Sequence, residues 1–243
     1  MRPILFVWRG IVVHSYHVAI YACMLLAVFL TVHFAQAGNL NPDRTAAAVL
    51  ILLIPGFVVA RLFYVARNWD HFRRDPARIL RRSEGGLSLY GGLSGILAAV
   101  VPVLWALDLP LGPFMDALML GLLGGLVIAK GGCLLNGCCF GRPTGHWCGA
   151  TLPDDHGAWH RRFPSQPLEM AWAAVLLLIL LAWRNLSPPA GAVACAAIAL
   201  HPVGRLFLQR LRDEGDAEDA AVRKTCIVLS AAGLAAGLLI WLW

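Results

Sequence analysis

The sequence predicts an all-α integral membrane protein with seven transmembrane helices and a polar site on one membrane face. Hydrophobic residues make up 59% of 243 positions and charged residues only 14%, whereas soluble domains carry about 25% charged residues. Mean hydropathy is +0.68, so water is not the main solvent of this chain. Seven apolar stretches, at about 12–35, 45–66, 87–107, 110–130, 167–184, 187–209 and 225–243, approach the roughly 20 residues a spanning helix needs. In hydrocarbon every backbone group must be paired within its own segment, and the sequence shows no alternation of the kind that marks a β-barrel.

Each stretch has its own reading. The first is too long for a removable signal peptide and lacks the small-residue cleavage site, so it is a retained helix, opening on Tyr16 and His17. The second carries Arg61 within its last turn or two, and the third begins at Glu84 and Tyr90. The fourth closes on Lys130, the fifth begins with Glu169, the sixth ends with His201 and Arg205, and the seventh completes the set. Neither a soluble domain nor an internal repeat is detectable, so 1–243 reads as one transmembrane domain.

Because successive helices run in opposite directions, these polar residues all fall on the face that carries the N-terminus. Snorkelling accounts for a single long basic side chain near a helix end. It would decorate both faces, however, and the opposite ends hold only Asp108, Asp116, Arg184 and, in the first loop, Asp43 and Arg44. The asymmetry points to a site at the level of the lipid headgroups.

Three local patterns give the site its chemistry. The segment from Glu84 to Gly95 is too rich in glycine for an ordinary helix start, each interior Gly costing about 1 kcal/mol against Ala. It implies backbone packed closely against a ligand or a second helix, the latter in the Gly-x-x-x-Gly manner from Gly91 to Gly95. From Ala129 to Thr144 the chain gathers Lys130, Asn136, Arg142 and the thiols Cys133, Cys138 and Cys139 among glycines. A phosphate fits such a place, since glycine-turn N–H groups and basic side chains share its charge. Zinc is the rival, with His146 and Cys148 as further ligands, but the C-x-x-C pairs of a structural zinc site are missing, and no metal site is expected. Lastly, His201, Arg205, Gln209 and Arg212 recur at steps of four, four and three, which places them on one helical face. Between the fourth and fifth helices, Trp147, His156, Trp159, His160 and Pro164 form a long loop with little periodicity, a functional or interfacial feature.

Taken in order, these segments resemble the prolipoprotein diacylglyceryl transferase family, seven-helix bacterial membrane enzymes that move diacylglycerol from phosphatidylglycerol onto a cysteine thiol. The likeness runs from Tyr16 to Asp213. Arg61 and Tyr64 match the family's Gly-Arg-x-Gly-Tyr segment, and Glu84 to Gly92 its Asp-Gly-Gly-x-Ser-x-His-Gly-Gly segment. The signature Gly-Arg-x-Gly-Asn-x-x-Asn-x-Glu-x-x-Gly-Arg falls on Ala129 to Arg142, His-Pro-Ser-Gln-x-x-Glu on Phe163 to Glu169, and Arg-x-x-x-Glu-x-x-Arg on Arg205, Gln209 and Arg212. The departures are as specific. Tyr90 replaces a His, Lys130 the signature Arg, Cys133 an Asn, Cys138 a Glu, Phe163 a His, Gln209 a Glu and His201 a Tyr. Basic groups survive better than acidic and imidazole groups.

The resemblance implies a thiol attacking a glycerol carbon of the lipid while a glycerol phosphate leaves. The catalytic candidates are His201, Cys138, Cys139, Tyr90 and Glu169. Substrate contacts fall to Tyr16, Arg61, Lys130, Cys133, Asn136, Arg142, Gln166, Arg205, Gln209 and Arg212. Lys130, Arg142 and Arg205 can stabilise the phosphate charge, although Lys lacks the bidentate fork of Arg. His201 can take the proton. Cys138 and Cys139 fit an enzyme nucleophile of lowered pKa or a structural or disulfide role, with Cys133 or Cys148 as partner. The expected partner is an anionic phospholipid, with a thiol or lipoprotein as acceptor. No nucleic acid and no cofactor are expected, and the location is the bacterial inner membrane, crossed several times. Thiol-redox or metal handling, and lipid binding without catalysis, are the other readings.

Charge orients the chain differently from the resemblance. Loops on the polar face hold Arg67, Arg73, Arg74, Arg78, Arg81, Arg82, Arg142, Arg161, Arg162, Arg210, Arg212, Arg223 and Lys224, against Arg44 and Arg184 opposite. The positive-inside rule puts the polar face in the cytoplasm, whereas the resemblance implies a site open to the outer face.

Overall fold

The apolar stretches form helices, since that arrangement pairs each backbone group within its own segment. The computed structural model describes residues 4–8, 11–80, 86, 88–153, 158–213 and 216–242, with side chains described throughout except at 8, 11, 80, 89, 90, 216–219 and 221. Glu84 and His156 therefore lie outside the described residues, as does the side chain of Tyr90. In chain order the elements are β1 (Ile4–Trp8), β2 (Ile11–His14), α1 (Ser15–Ala37), α2 (Pro42–Arg67), a short α3 (Trp69–Phe72) and a 3-10 turn at Pro76–Leu80. There follow α4 (Leu89–Ala106), α5 (Leu111–Asn136), β3 (Ala150–Pro153), β4 (Trp159–Arg162), α6 (Ser165–Arg184), α7 (Ala192–Gln209) and α8 (Asp216–Leu242).

Among the described residues, α1, α2, α5, α6, α7 and the Val222–Leu242 part of α8 are long and apolar enough to cross a membrane, six in all. The third predicted span, α4, is apolar but shorter over its described side chains, Gly91–Ala106. Two hairpins join this helical fold. β1 pairs antiparallel with β2, so the chain is extended up to His14 and the first helix begins at Ser15 rather than near 12. β3 pairs antiparallel with β4 from Ala150–Arg162 to Pro153–Trp159, which gives the aperiodic loop its structure.

By contact density the chain divides into residues 39–111 and a second unit made of 1–38 and 112–243. Within 39–111, Asn41 caps α2 by accepting from the Arg44 N–H at 2.9 Å, with Pro42 in the first turn where its missing donor is harmless. Glycines let α4 lie against α2: a Cβ on Gly91 would stand 2.7 Å from Phe63 Cβ, and one on Gly95 2.5 Å from the Pro55 carbonyl. The Gly-x-x-x-Gly spacing therefore serves helix packing.

In the other unit, Leu120 and Leu123 of α5, Leu176 and Leu180 of α6, and Val193 and Ala197 of α7 form a buried cluster. α8 packs on α7 where a Cβ on Gly233 would meet the Ala199 nitrogen at 2.7 Å. α5 continues helical six residues past Lys130, through Gly131, Gly132 and Cys133 to Asn136. Gly132 faces Ala19 of α1 with no room for a side chain, so it permits a close helix crossing, and both glycines stay helical. They are not the turn that the sequence suggested.

Candidate functional site

The site is built where the end of α5, the start of α6 and the end of α7 meet. Glu169 sits in the second turn of α6, with its side chain only 7% exposed. Lys130 of α5 and Arg205 of α7 both ion-pair with it, through Oε2 and Oε1. Arg212, just past α7, joins Oε1 at 3.3 Å. Three cations thus converge on one buried carboxylate, and Lys130 and Arg205 alone outnumber it. A buried charge requires a partner of opposite sign, so the cluster suits a further anion. His201, one turn before Arg205, lies within electrostatic reach of Arg205, Glu169 and Lys130. Its Nδ1 is buried without a hydrogen-bond partner among the described residues.

Beside the charges, on the same stretch of α6 and α7, runs an apolar groove of about 390 Å³. Leu168, Trp172, Val175, Val203 and Phe207 line it, and Gly204 gives the Trp172 ring its place. Its walls suit a hydrocarbon chain.

The thiols come next. After α5 the chain turns through Gly137 and Cys139, both at positive φ, 78° and 59°. That conformation is uncommon for any residue bearing a Cβ, and it folds two adjacent cysteines back toward Cys133. The three Sγ atoms lie within 4.8 Å of one another, and all three thiols are free. The turn is pinned from the start of α6: Ser165 Oγ donates to the Cys139 carbonyl and Gln166 Nε2 to the Cys138 carbonyl, both at 2.8 Å. Asn136 hydrogen-bonds Cys138, and Tyr16 at the start of α1 is in electrostatic reach of all three thiols. Hydrogen bonds from Cys133 and Cys138, then the charges of Arg212 and Lys130, hold the Cys139 thiol well below the ordinary range in spite of its burial.

The head loops lock this arrangement. Arg142 donates its backbone N–H to the Leu211 carbonyl at 2.8 Å and its Nε to the Arg212 carbonyl at 2.7 Å. Gly141 bridges to Arg212 so closely that a Cβ would stand 2.9 Å from the Leu211 carbonyl. Arg162, buried, pairs with Asp213 at 2.8 Å and lies over the Phe140 ring at 4.6 Å.

The structure therefore gathers Tyr16, Lys130, Cys133, Asn136, Cys138, Cys139, Gln166, Glu169, His201, Arg205 and Arg212 into one region, with Gln209 fully buried on α7. Arg142 is tied to the loop backbone. Arg61 belongs to the 39–111 unit, where it donates to the carbonyls of Ile79 and Gly86, each at 3.0 Å, and stacks between Tyr64 and Phe72. It clasps the segment after α2 to that helix. Cys148 meets His146, Sγ to Nδ1 at 2.9 Å. Sequence reasoning left Ser165 and Arg162 out of the site. A Ser before Gln166 was visible in the motif, but its bond to the thiol loop was not, and nothing in the sequence separates Arg162 from the other loop arginines.

A family model described as prolipoprotein diacylglyceryl transferase matches residues 3–243. Curated relatives bear the name phosphatidylglycerol–prolipoprotein diacylglyceryl transferase. The chain is 30% identical over 227 residues to that of Lactiplantibacillus plantarum, covering 88% of this chain and 79% of the relative. It is 26% identical over 254 residues to that of a Nostoc species, covering 99% and 89%, and 26% identical over 227 residues to that of Synechococcus elongatus, covering 87% and 75%.

Proposed function

This chain belongs to the prolipoprotein diacylglyceryl transferase family, and on that premise we propose that it binds a phosphatidylglycerol-like lipid and transfers its diacylglyceryl group to an acceptor thiol. It is a multi-pass membrane transferase. The observation that carries the substrate reading is the convergence of Lys130, Arg205 and Arg212 on Glu169 beside an apolar groove.

In this reading Glu169 touches no reacting atom. It fixes the cations, so that their remaining donors meet the lipid phosphate without reorganisation, which is electrostatic preorganisation. An acyl chain lies along the groove between α6 and α7. The acceptor sulfur attacks the glycerol carbon that bears the phosphate ester. The S–C bond forms, the C–O bond breaks, and glycerol phosphate leaves with the electron pair on its oxygen. The thiol proton passes to His201, whose buried Nδ1 has no hydrogen-bond partner among the described residues. A resulting thioether is stable, so the acceptor is better supplied by a second substrate than by the chain's own cysteines.

Reconstitution with phosphatidylglycerol and a cysteine peptide tests this. Lys130→Gln and Arg205→Gln should each lower transfer roughly 10²–10³-fold, as loss of one preorganised donor does, while the folded yield stays near wild type. Transfer at the wild-type rate in both variants excludes the headgroup role.

The finer topology is a proposal too. α4, at 18 residues, rises about 27 Å at 1.5 Å per residue, close to the roughly 30 Å of a bilayer core, and we take it as a seventh crossing of a bacterial inner membrane. The arginine-rich loops then favour a cytoplasmic polar face and a cytoplasmic thiol acceptor. A reporter active only outside the membrane should be silent in the 67–83 loop and active after Trp243. The reverse pair of results would place the site outside and make an exported lipoprotein the acceptor.

A further inference from the structure

We propose that Cys133, Cys138 and Cys139 form a tris-thiolate site for a thiophilic d10 cation of the Zn²⁺, Cu⁺ or Cd²⁺ type, between the end of α5 and the turn that follows it.

Distance comes first. Thiolates about 2.3 Å from one metal ion stand roughly 3.8–4.0 Å from one another, and here the three Sγ atoms already lie within 4.8 Å of each other. Rotation of a side chain or two closes the difference. Adjacent residues seldom turn their side chains to one point, and the left-handed backbone at Cys139, after Gly137, is what lets this pair do so. Cys133 approaches from the helix, one turn back and buried.

Rigidity is the second point. Ligands bind tightly when groups outside the first shell hold them in place. Ser165 and Gln166 grip the carbonyls of Cys139 and Cys138, both at 2.8 Å, and Asn136 bonds Cys138 itself. The Ser165 and Gln166 grips use carbonyls and no thiol, so they fix the turn without occupying a sulfur.

Charge and chemical type decide the rest. Three thiolates around a divalent ion leave a net charge of −1, and around a monovalent ion −2. Lys130 and Arg212, which act electrostatically on Cys139, offset it. An all-sulfur donor set selects soft cations over Mg²⁺ or Ca²⁺, which take oxygen ligands. Three protein ligands rather than four also leave a coordination position open.

The test uses the full chain, purified under reducing conditions in detergent and titrated with Cd²⁺. One Cd²⁺ per chain should bind, with thiolate-to-metal charge-transfer absorption in the ultraviolet. Cys133, Cys138 and Cys139 should become protected from alkylation while Cys148 still reacts. Cys133→Ser, Cys138→Ser and Cys139→Ser should each weaken binding by more than the roughly 10–100-fold that loss of an outer-shell partner costs, and Cys148→Ser should leave it unchanged. The wild-type protection pattern stands even if a variant fails to fold. Equal alkylation of the three thiols with and without one equivalent of Cd²⁺ would overturn the proposal, as would wild-type binding by a folded Cys139→Ser chain. No step of the test depends on lipid transfer.

Discussion

α5, α6 and α7 carry charges at both ends, and the two ends use them differently. At one end Asp116 accepts the backbone N–H groups of Gly191 and Ala194, both at 2.7 Å, and so serves the free N-terminus of α7. Nearby, Arg184 donates to the Phe34 carbonyl at 2.6 Å and lies over the Phe34 ring at 5.3 Å. Each charge is spent on backbone at a helix end. At the other end Lys130, Arg205 and Arg212 bond a side chain, Glu169, and three cations share that one carboxylate. A charge that satisfies its own fold is structural. Several that share one carboxylate can still bind an anion.

This contrast can be broken by substitution, and the largest effect should come from Glu169→Leu. Removing one partner of a buried ion pair costs about 3–5 kcal/mol, so the thermal midpoint of the detergent-solubilised chain should fall sharply and transfer should cease. A variant with the wild-type midpoint would mean that the three cations do not depend on this carboxylate. Next comes Asp116→Ala at the opposite end. Losing the acceptor for two N–H groups at the start of α7 should cost about 2 kcal/mol, as at the strongest helix caps, while transfer per folded molecule stays unchanged. Lost turnover in a folded Asp116→Ala chain would erase the distinction between the ends. Arg184→Met should be the mildest, near 1 kcal/mol for one hydrogen bond, again with transfer intact. Arg61→Met sharpens the contrast from the other unit. If Arg61 serves the fold alone, through carbonyls such as those of Arg78, Ile79 and Gly86, stability falls while the KM for phosphatidylglycerol holds, whereas a raised KM assigns it to the lipid.

Much of the site could be read from residue order. Lys130, Glu169 and Arg205 stand out because charge inside an apolar stretch is costly, and alternating helix directions bring such residues to one level. The thiols were harder. Spacing argued against zinc because neither Cys133 nor Cys138 forms a C-x-x-C pair, yet the turn at Cys139 gathers all three sulfurs, and a turn of that kind depends on what grips it. Ser165 and Gln166 lie 26 and 28 residues away from the carbonyls they hold. The glycines at 131 and 132 misled in the opposite direction: their composition suggests a turn, but both lie within α5, where Gly132 packs against Ala19.

Composition alone determined that this chain lives in a membrane as helices, because hydrocarbon offers backbone groups no other partner and the cost of a misplaced charge is paid locally, residue by residue. Order and spacing added the family and most of the cations. Only the tertiary structure decided which charges were already committed, that Arg61 and Arg142 hold loops and that Glu169 serves three cations at once. It also decided that three cysteines share one point. Partnership between side chains far apart in sequence is set by how helices cross and turns are pinned, and no window of neighbouring residues contains that information.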